Sequence, residues 1–192
     1  MKRFKQILAQ VASRALDPVW ELPLAILLAI AFAVKEGLRW RFLGLLLFID
    51  AVVPIIFYCL MVYHKQISNW DADKRSQRIP VLLFALFCHL VGLGIAHELG
   101  KGELVSILGV FYVIGIAFVA VTSKWKISFH STVNAGLITM LNMFYDWRYS
   151  WLYALLPLVM WARVYQKHHT WQQVVAGAVL GGGMVGVGLM VI

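Results

Sequence analysis

The sequence predicts an all-α fold, a polytopic helical bundle with six to seven transmembrane helices and an N-terminal amphipathic helix in the membrane interface. Hydrophobic residues make up 61% of the 192 residues and charged residues only 14%, and the mean hydropathy is +0.79. Soluble domains are about 45–50% apolar and about 25% charged. One globular core cannot absorb this excess of apolar residues, so a bilayer is the environment that fits.

An amphipathic helix is predicted for residues 1–17. Phe4, Ile7, Leu8 and Val11 recur at helical spacing, and the basic residues of this stretch are available to the other side. A helix with one apolar and one basic face lies in the plane of the membrane interface.

A single transmembrane domain is predicted for residues 18–192. Some of its apolar segments are shorter than the roughly 20 residues that a perpendicular span needs, and Glu21 and Pro23 interrupt the first, so six to seven crossings are expected. The segments lie at about residues 18–34, 40–63, 81–97, 104–122, 130–146, 149–165 and 172–192. Glycines at four-residue spacing in the last segment predict close helix packing; these are Gly177, Gly181, Gly182 and Gly186.

The net charge of +8 at first suggests a nucleic-acid partner. The basic residues, however, occur in short loops between apolar segments, where they meet lipid phosphates. The lipid bilayer is therefore the expected partner, and nucleic acid is not. Cys59 and Cys88 both fall inside apolar segments, which indicates small buried side chains rather than a disulfide or a metal site.

Polar residues are concentrated in three loops, at residues 64–80, 123–131 and 161–173. These loops follow the second, fourth and sixth apolar segments. If the third to sixth segments each cross the bilayer once, all three loops emerge on the same face. The other loops emerge on the opposite face and contain no histidine except His97 at a segment end. The three loops are thus predicted to converge on one site.

The converging loops offer a basic cluster with several histidines and few carboxylates. Arginine forks match phosphate oxygens and lysine supplies a point charge, while histidine acts as nucleophile or general acid near neutral pH. A lipid phosphate or diphosphate suits such a cluster at a membrane surface. A metal site is the alternative, disfavoured by the nearby cations; its ligands would be His130, His168, His169 and Asp73.

Two of the loops carry motifs with regular spacing. In "ARVYQKHHTWQQ", Arg163 precedes His169 by six positions, and in "KISFHS", Ser128 precedes His130 by two. The remaining loop contains "DADKRSQRIP". In this order the motifs resemble the signature of the type 2 phosphatidic acid phosphatase superfamily, which is Lys-x6-Arg-Pro, Pro-Ser-Gly-His and Ser-Arg-x5-His-x3-Asp. The resemblance covers roughly residues 64–182.

The motifs depart from the family signature at several positions. Asp71 stands where the first-motif lysine is expected, so Lys74 or Arg75 has to substitute for it. Gln173 occupies the place of the aspartate that orients the third-motif histidine, although Asp71 or Asp73 could approach and restore the charge. The other departures are Ile79 between arginine and proline, Ile127 for proline, Phe129 for glycine and Ala162 for serine.

The resemblance implies a membrane hydrolase that removes phosphate from a phospholipid or from a polyprenyl phosphate or diphosphate. His169 would attack phosphorus and form a phosphohistidine that water hydrolyses, and His130 would protonate the leaving oxygen. Gln173 would orient His169, and the resemblance implies no metal or other cofactor. The phosphate-binding residues would be Arg163, Arg78, Lys74, Arg75, Ser128 and Lys126.

Two other functions stay open. A non-catalytic protein of the same fold that binds or transports lipid phosphates would account for Gln173 and for the imperfect first motif. A small ion or proton translocator would use Glu21 and Asp50, which are acidic residues inside apolar segments.

The resemblance points to the cell (inner) membrane of a prokaryote. Without the seven basic residues of the loop cluster, the basic residues number five on each face, so positive-inside counting leaves the side of the membrane open. The seven are Lys74, Arg75, Arg78, Lys124, Lys126, Arg163 and Lys167. No motif records the lipid tail or the oligomeric state.

Overall fold

A computed structural model describes residues 2–34, 36–72 and 74–191 of the chain. Within these ranges the regular structure is helical, with no strand. A π-helical turn, Phe48–Val52, joins α3 to α4, and a 3-10 turn, Ser150–Ala154, precedes α8. The α-helices are α1 (Lys2–Ala15), α2 (Pro18–Ala33), α3 (Glu36–Leu47), α4 (Val53–Tyr63), α5 (Arg75–Glu98), α6 (Gly102–Lys124), α7 (Phe129–Phe144), α8 (Leu155–Tyr165) and α9 (Trp171–Met190).

The all-α prediction is confirmed for the described residues, and five helical stretches are long and apolar enough to cross a membrane. Helix α7 has 16 residues and α8 has 11, so at 1.5 Å per residue they measure about 24 Å and about 16 Å against a hydrocarbon core of about 30 Å. The count of six to seven crossings stays a prediction. The five candidate spans are Lys2–Ala33, Phe42–Tyr63, Arg75–Glu98, Gly102–Lys124 and Trp171–Met190.

Contacts divide the chain into two compact units. We call residues 2–21 with 126–191 the histidine unit, because it contains His130 and His169, and residues 22–125 the middle unit. Each unit has its own packed interior.

The histidine unit is centred on the contact between α7 and α9, where two of the predicted packing glycines lie. A Cβ on Gly177 would be 2.6 Å from the main-chain oxygen of Ser128, and a Cβ on Gly181 would be 1.9 Å from that of Thr132. No side chain fits at either distance, so the two backbones touch, as small residues allow in membrane helices. This contact sets α9 directly against the start of α7.

Helix α1 packs against α8 in the same unit. Ala9 and Ala12 form a buried cluster with Ala162, and the Gln166 amide donates to the main-chain oxygen of Ala9 at 2.7 Å. The apolar side chains of α1 point elsewhere, since Phe4 is 70% exposed. Small residues therefore attach α1 to the protein, and its larger apolar residues are left to meet lipid. Its position at a membrane interface stays a prediction.

The middle unit contains α3 to α6. Phe57 of α4 stacks on Phe84 of α5 with ring centroids 4.2 Å apart. On α6, Gly115 is so close to α5 that a Cβ there would be 2.6 Å from a terminal carbon of Leu86. Many outward side chains of this unit are large and apolar, such as Phe87, which is 62% exposed. An apolar exterior of this kind suits a lipid environment.

Candidate functional site

The second and third polar loops meet within the histidine unit, as the sequence predicts. The Lys126 ammonium donates to the main-chain oxygen of His168 at 2.9 Å. The main-chain N–H of Ser128 donates to the main-chain oxygen of Gln173 at 3.2 Å. These two bonds, together with the glycine contact between α7 and α9, fix the histidine-bearing stretches beside each other.

Ser128 begins α7 and places His130 in its first turn. The Ser128 side chain accepts a bond from the main-chain N–H of Ser131 at 3.3 Å, as an N-cap serine does. His130 lies with its Nε2 3.7 Å from Oδ2 of Asp17, and the two side chains are only 12% and 10% exposed. A carboxylate at this distance favours the imidazolium form of a histidine.

Arg163 is one of the most deeply buried polar side chains among the described residues. It is 2% exposed, on the last turn of α8, and its Nη1 donates to the hydroxyl of Ser13 at 2.8 Å. A guanidinium carries five N–H donors, and burial strengthens the field that it exerts on an anion. The main-chain N–H groups of His168 and His169 donate to the Arg163 carbonyl oxygen, which closes the turn between α8 and α9 over the arginine.

His169 is 6% exposed and directly precedes Thr170, the N-cap residue of α9. Thr170 and Gln173 form a capping box, in which the Thr170 main-chain N–H donates to Gln173 Oε1 at 3.1 Å. His169 Nδ1 lies 3.2 Å from the same Oε1. Because that atom is an acceptor, Nδ1 carries the proton, and Nε2 of a neutral His169 keeps its lone pair. The Gln173 amide therefore selects the tautomer that a nucleophilic histidine needs.

Residues 13–21 also contact the candidate site, which the sequence analysis did not predict. Besides Ser13 and Asp17, Glu21 takes part, since the Asn134 amide donates to its carboxyl group at 2.8 Å and to the Leu16 main-chain oxygen at 3.1 Å. The sequence does contain a pattern that indicates this contribution. Ser13, Asp17 and Glu21 are spaced four residues apart, so they form one polar stripe along the end of α1 and the start of α2.

The first polar loop lies in the middle unit. The Arg78 guanidinium donates through Nε to the main-chain oxygen of Ala72 at 2.7 Å and through Nη2 to that of Asp71 at 3.1 Å. Arg75 donates to the main-chain oxygen of Lys124, and Lys74 is the N-cap of α5. Two of the three predicted phosphate-binding cations of this loop thus bond to the backbone of their own unit.

The metal-site alternative includes Asp73, which lies outside the described residues. Among the described residues no three His, Cys, Asp or Glu side chains lie close enough together to hold a metal ion. No family model, no curated protein and no solved structure matches the chain.

Proposed function

We propose that the protein is a lipid phosphatase of a prokaryotic cell membrane, which hydrolyses a phosphomonoester or diphosphate of a phospholipid or polyprenyl lipid. The observation that carries the proposal is the meeting of two separate motifs in one unit. Ser128 and His130 begin α7, Arg163 and His169 flank the turn before α9, and the Ser128–Gln173 main-chain bond joins them.

The reaction begins with attack of His169 Nε2 on phosphorus. The bond from phosphorus to the leaving oxygen breaks, and His130 donates a proton to that oxygen. Water then attacks the phosphohistidine, transfers its proton to His130, and releases inorganic phosphate. Burial of His169 protects the intermediate from other nucleophiles.

The positive charges of the histidine unit favour binding of a phosphoryl group beside His130 and His169. Arg163 provides a buried guanidinium, and Lys126 a nearby ammonium. The N-termini of α7 and α9 add the positive ends of two helix dipoles. Preorganised charge of this kind is the main source of rate in phosphoryl transfer. Asp17, beside His130, favours the protonated form that a general acid needs.

We expect purified protein in lipid nanodiscs to release inorganic phosphate in the presence of a chelator, since no step of this reaction uses a metal. Phosphatidate, phosphatidylglycerophosphate and a polyprenyl diphosphate are the substrates to compare. Brief reaction with a 32P-labelled substrate should leave label on the protein that is stable to alkali and lost in acid, as a phosphohistidine is. Phosphate release that stops on chelation would contradict the reaction.

Gln173 favours a second candidate, a protein of the same fold that binds lipid phosphates without turning them over. An amide supplies a hydrogen bond but no negative charge to stabilise the histidine once it becomes cationic. In a Ser-His-Asp triad the corresponding change lowers the rate by about 10⁴, chiefly through the wrong tautomer. Here the capping box keeps the right tautomer, so only the charge is missing.

Replacing Gln173 by Glu is expected to raise the turnover about fivefold to thirtyfold. Glutamate has the same length, is the other residue that a capping box accepts, and makes a bond to the imidazole that is stronger by about 1–2 kcal/mol. Phosphate release by Gln173→Glu and by wild type is the measurement. Gln172→Glu is the matched control, because it places the same charge on the exposed side of the same helical turn. A wild type without turnover that gains it on this substitution would establish the binding protein instead.

A further inference from the structure

A second pair of ionisable side chains lies in the interior of the middle unit. Asp50 is 3% exposed and His89 is 16% exposed, and Oδ2 of Asp50 is 2.9 Å from Nδ1 of His89. The other ring nitrogen, Nε2, is 3.0 Å from the main-chain oxygen of Leu108. The three residues lie inside three different candidate spans. Ionisable groups at such positions are costly in a membrane and usually functional.

The geometry of this pair requires a proton. A main-chain carbonyl only accepts, so the Leu108 contact requires a proton on Nε2 of His89. At Nδ1, an ionised carboxylate facing an unprotonated nitrogen would oppose two lone pairs at 2.9 Å. The contact is favourable if His89 is an imidazolium beside a carboxylate, or if a neutral His89 accepts from a protonated Asp50. Both arrangements hold one proton between the two atoms.

Asp50 lies in the π-helical turn Phe48–Val52, where the regular α-helical backbone is interrupted. Pro54 has no N–H, and its ring collides with the carbonyl of the residue four positions earlier, which is Asp50. The chain responds with a π-helical turn, in which the Val53 N–H donates to the Phe48 oxygen. Such turns inside helices are found frequently at functional sites.

Helix α5 has a glycine, Gly92, beside the second carboxyl oxygen of Asp50, Oδ1. A Cβ on Gly92 would lie 2.9 Å from Asp50 Oδ1, so only glycine fits beside it without a shift. Oδ1 is buried and has no hydrogen-bond partner in the part of the chain that the structure describes. A carboxyl group that served only to link helices would gain by satisfying both oxygens.

We propose that Asp50 and His89 form an intramembrane proton-binding site, whose ligand is one exchangeable proton held between Oδ2 and Nδ1. The other titratable groups near the pair, in the described part of the chain, are Cys88 on α5 and Tyr112 on α6, whose ring centroid is 6.3 Å from that of His89. Loss of the proton removes the attraction between α5 and the π-helical turn, so proton binding is coupled to helix packing. The proposal is independent of phosphatase activity, because it involves none of the proposed catalytic residues.

The test is magnetic resonance of the full chain in nanodiscs, with 15N-labelled histidine and 13C-labelled aspartate, across a pH titration. We expect one proton on the pair at neutral pH, and the His89 and Asp50 signals should change together, at one common midpoint, when this proton is lost. His89→Gln identifies the histidine signals, and His97, whose side chain is 75% exposed, provides an internal reference. In Asp50→Asn, the amide can donate to Nδ1, so His89 should stay neutral and show no coupled titration.

Two results would overturn the proposal. One is a neutral imidazole beside an ionised carboxylate at neutral pH, which means that no proton is bound. The other is a proton that stays on the pair at every pH at which the protein remains folded, because the contact is then a fixed structural bond. Phosphate release by Asp50→Asn tests neither of these results, because Asp50 takes no part in the proposed phosphatase reaction. The proton-site proposal and the phosphatase proposal can therefore fail separately.

Discussion

His169→Ala is expected to lower phosphate release by about 10⁴-fold to 10⁶-fold, which is the loss that removal of a catalytic nucleophile causes. Without Nε2 at this position no phosphohistidine forms, so the 32P label on the protein disappears as well. Binding should change much less, because Arg163 and Lys126 remain in place. The measurement is the rate of phosphate release with a lipid substrate, beside labelling of the protein during turnover.

His130→Ala separates the roles of the two histidines. Loss of a general acid lowers the rate by about 10²-fold to 10⁴-fold for a poor leaving group, but a nitrophenyl leaving group needs no proton. We therefore expect His130→Ala to retain labelling with p-nitrophenyl phosphate, whereas His169→Ala loses it.

His168→Ala is the matched control for both variants, because the Lys126 bond is made to the main-chain oxygen of this residue and survives truncation of the ring. It should keep a rate close to that of wild type. Label retained by His169→Ala, or undiminished release by both histidine variants, would refute the assigned roles.

The apolar segments of the sequence locate most helices within a few residues. The segment at 104–122 corresponds to α6, Gly102–Lys124, and that at 172–192 to α9, Trp171–Met190. Hydropathy is reliable here because side chains such as Val179 and Val187, each 67% exposed, face outward, and their apolar character is dictated by lipid rather than by a particular partner. The spacing of the glycines also predicted that the last helix packs closely against another helix, which the structure shows to be α7.

The parts that the sequence did not reveal depend on individual long-range partners. Arg163 bonds to Ser13, and His130 lies beside Asp17, although about 150 and more than 100 positions separate the partners along the chain. Periodicity shows which face of α1 is apolar, but it cannot show which helix receives the small face. The π-helical turn was missed for a similar reason, since it follows from one proline acting on one carbonyl.

Gly181→Ala is expected to lower the free energy of unfolding by at least about 3 kcal/mol, or to prevent folding. The new Cβ would lie 1.9 Å from the main-chain oxygen of Thr132 and 2.7 Å from its carbonyl carbon. Backbone atoms cannot rotate away as a flexible side chain can, so α9 has to move from α7. Unfolding of the purified protein in detergent, followed by circular dichroism against temperature or denaturant, measures the effect.

Gly183→Ala is the matched control, because a Cβ there has no atom within 4 Å. Two residues along the same helix, it should leave stability unchanged or raise it by up to about 1 kcal/mol through better helix propensity. Equal stability of the two variants would contradict the close approach of α7 and α9. The same contact aligns Gln173 with Ser128, so Gly181→Ala should lose phosphatase activity together with its fold. His169→Ala should instead lose activity with a much smaller change in its unfolding transition, which separates the chemistry of the site from the packing that assembles it.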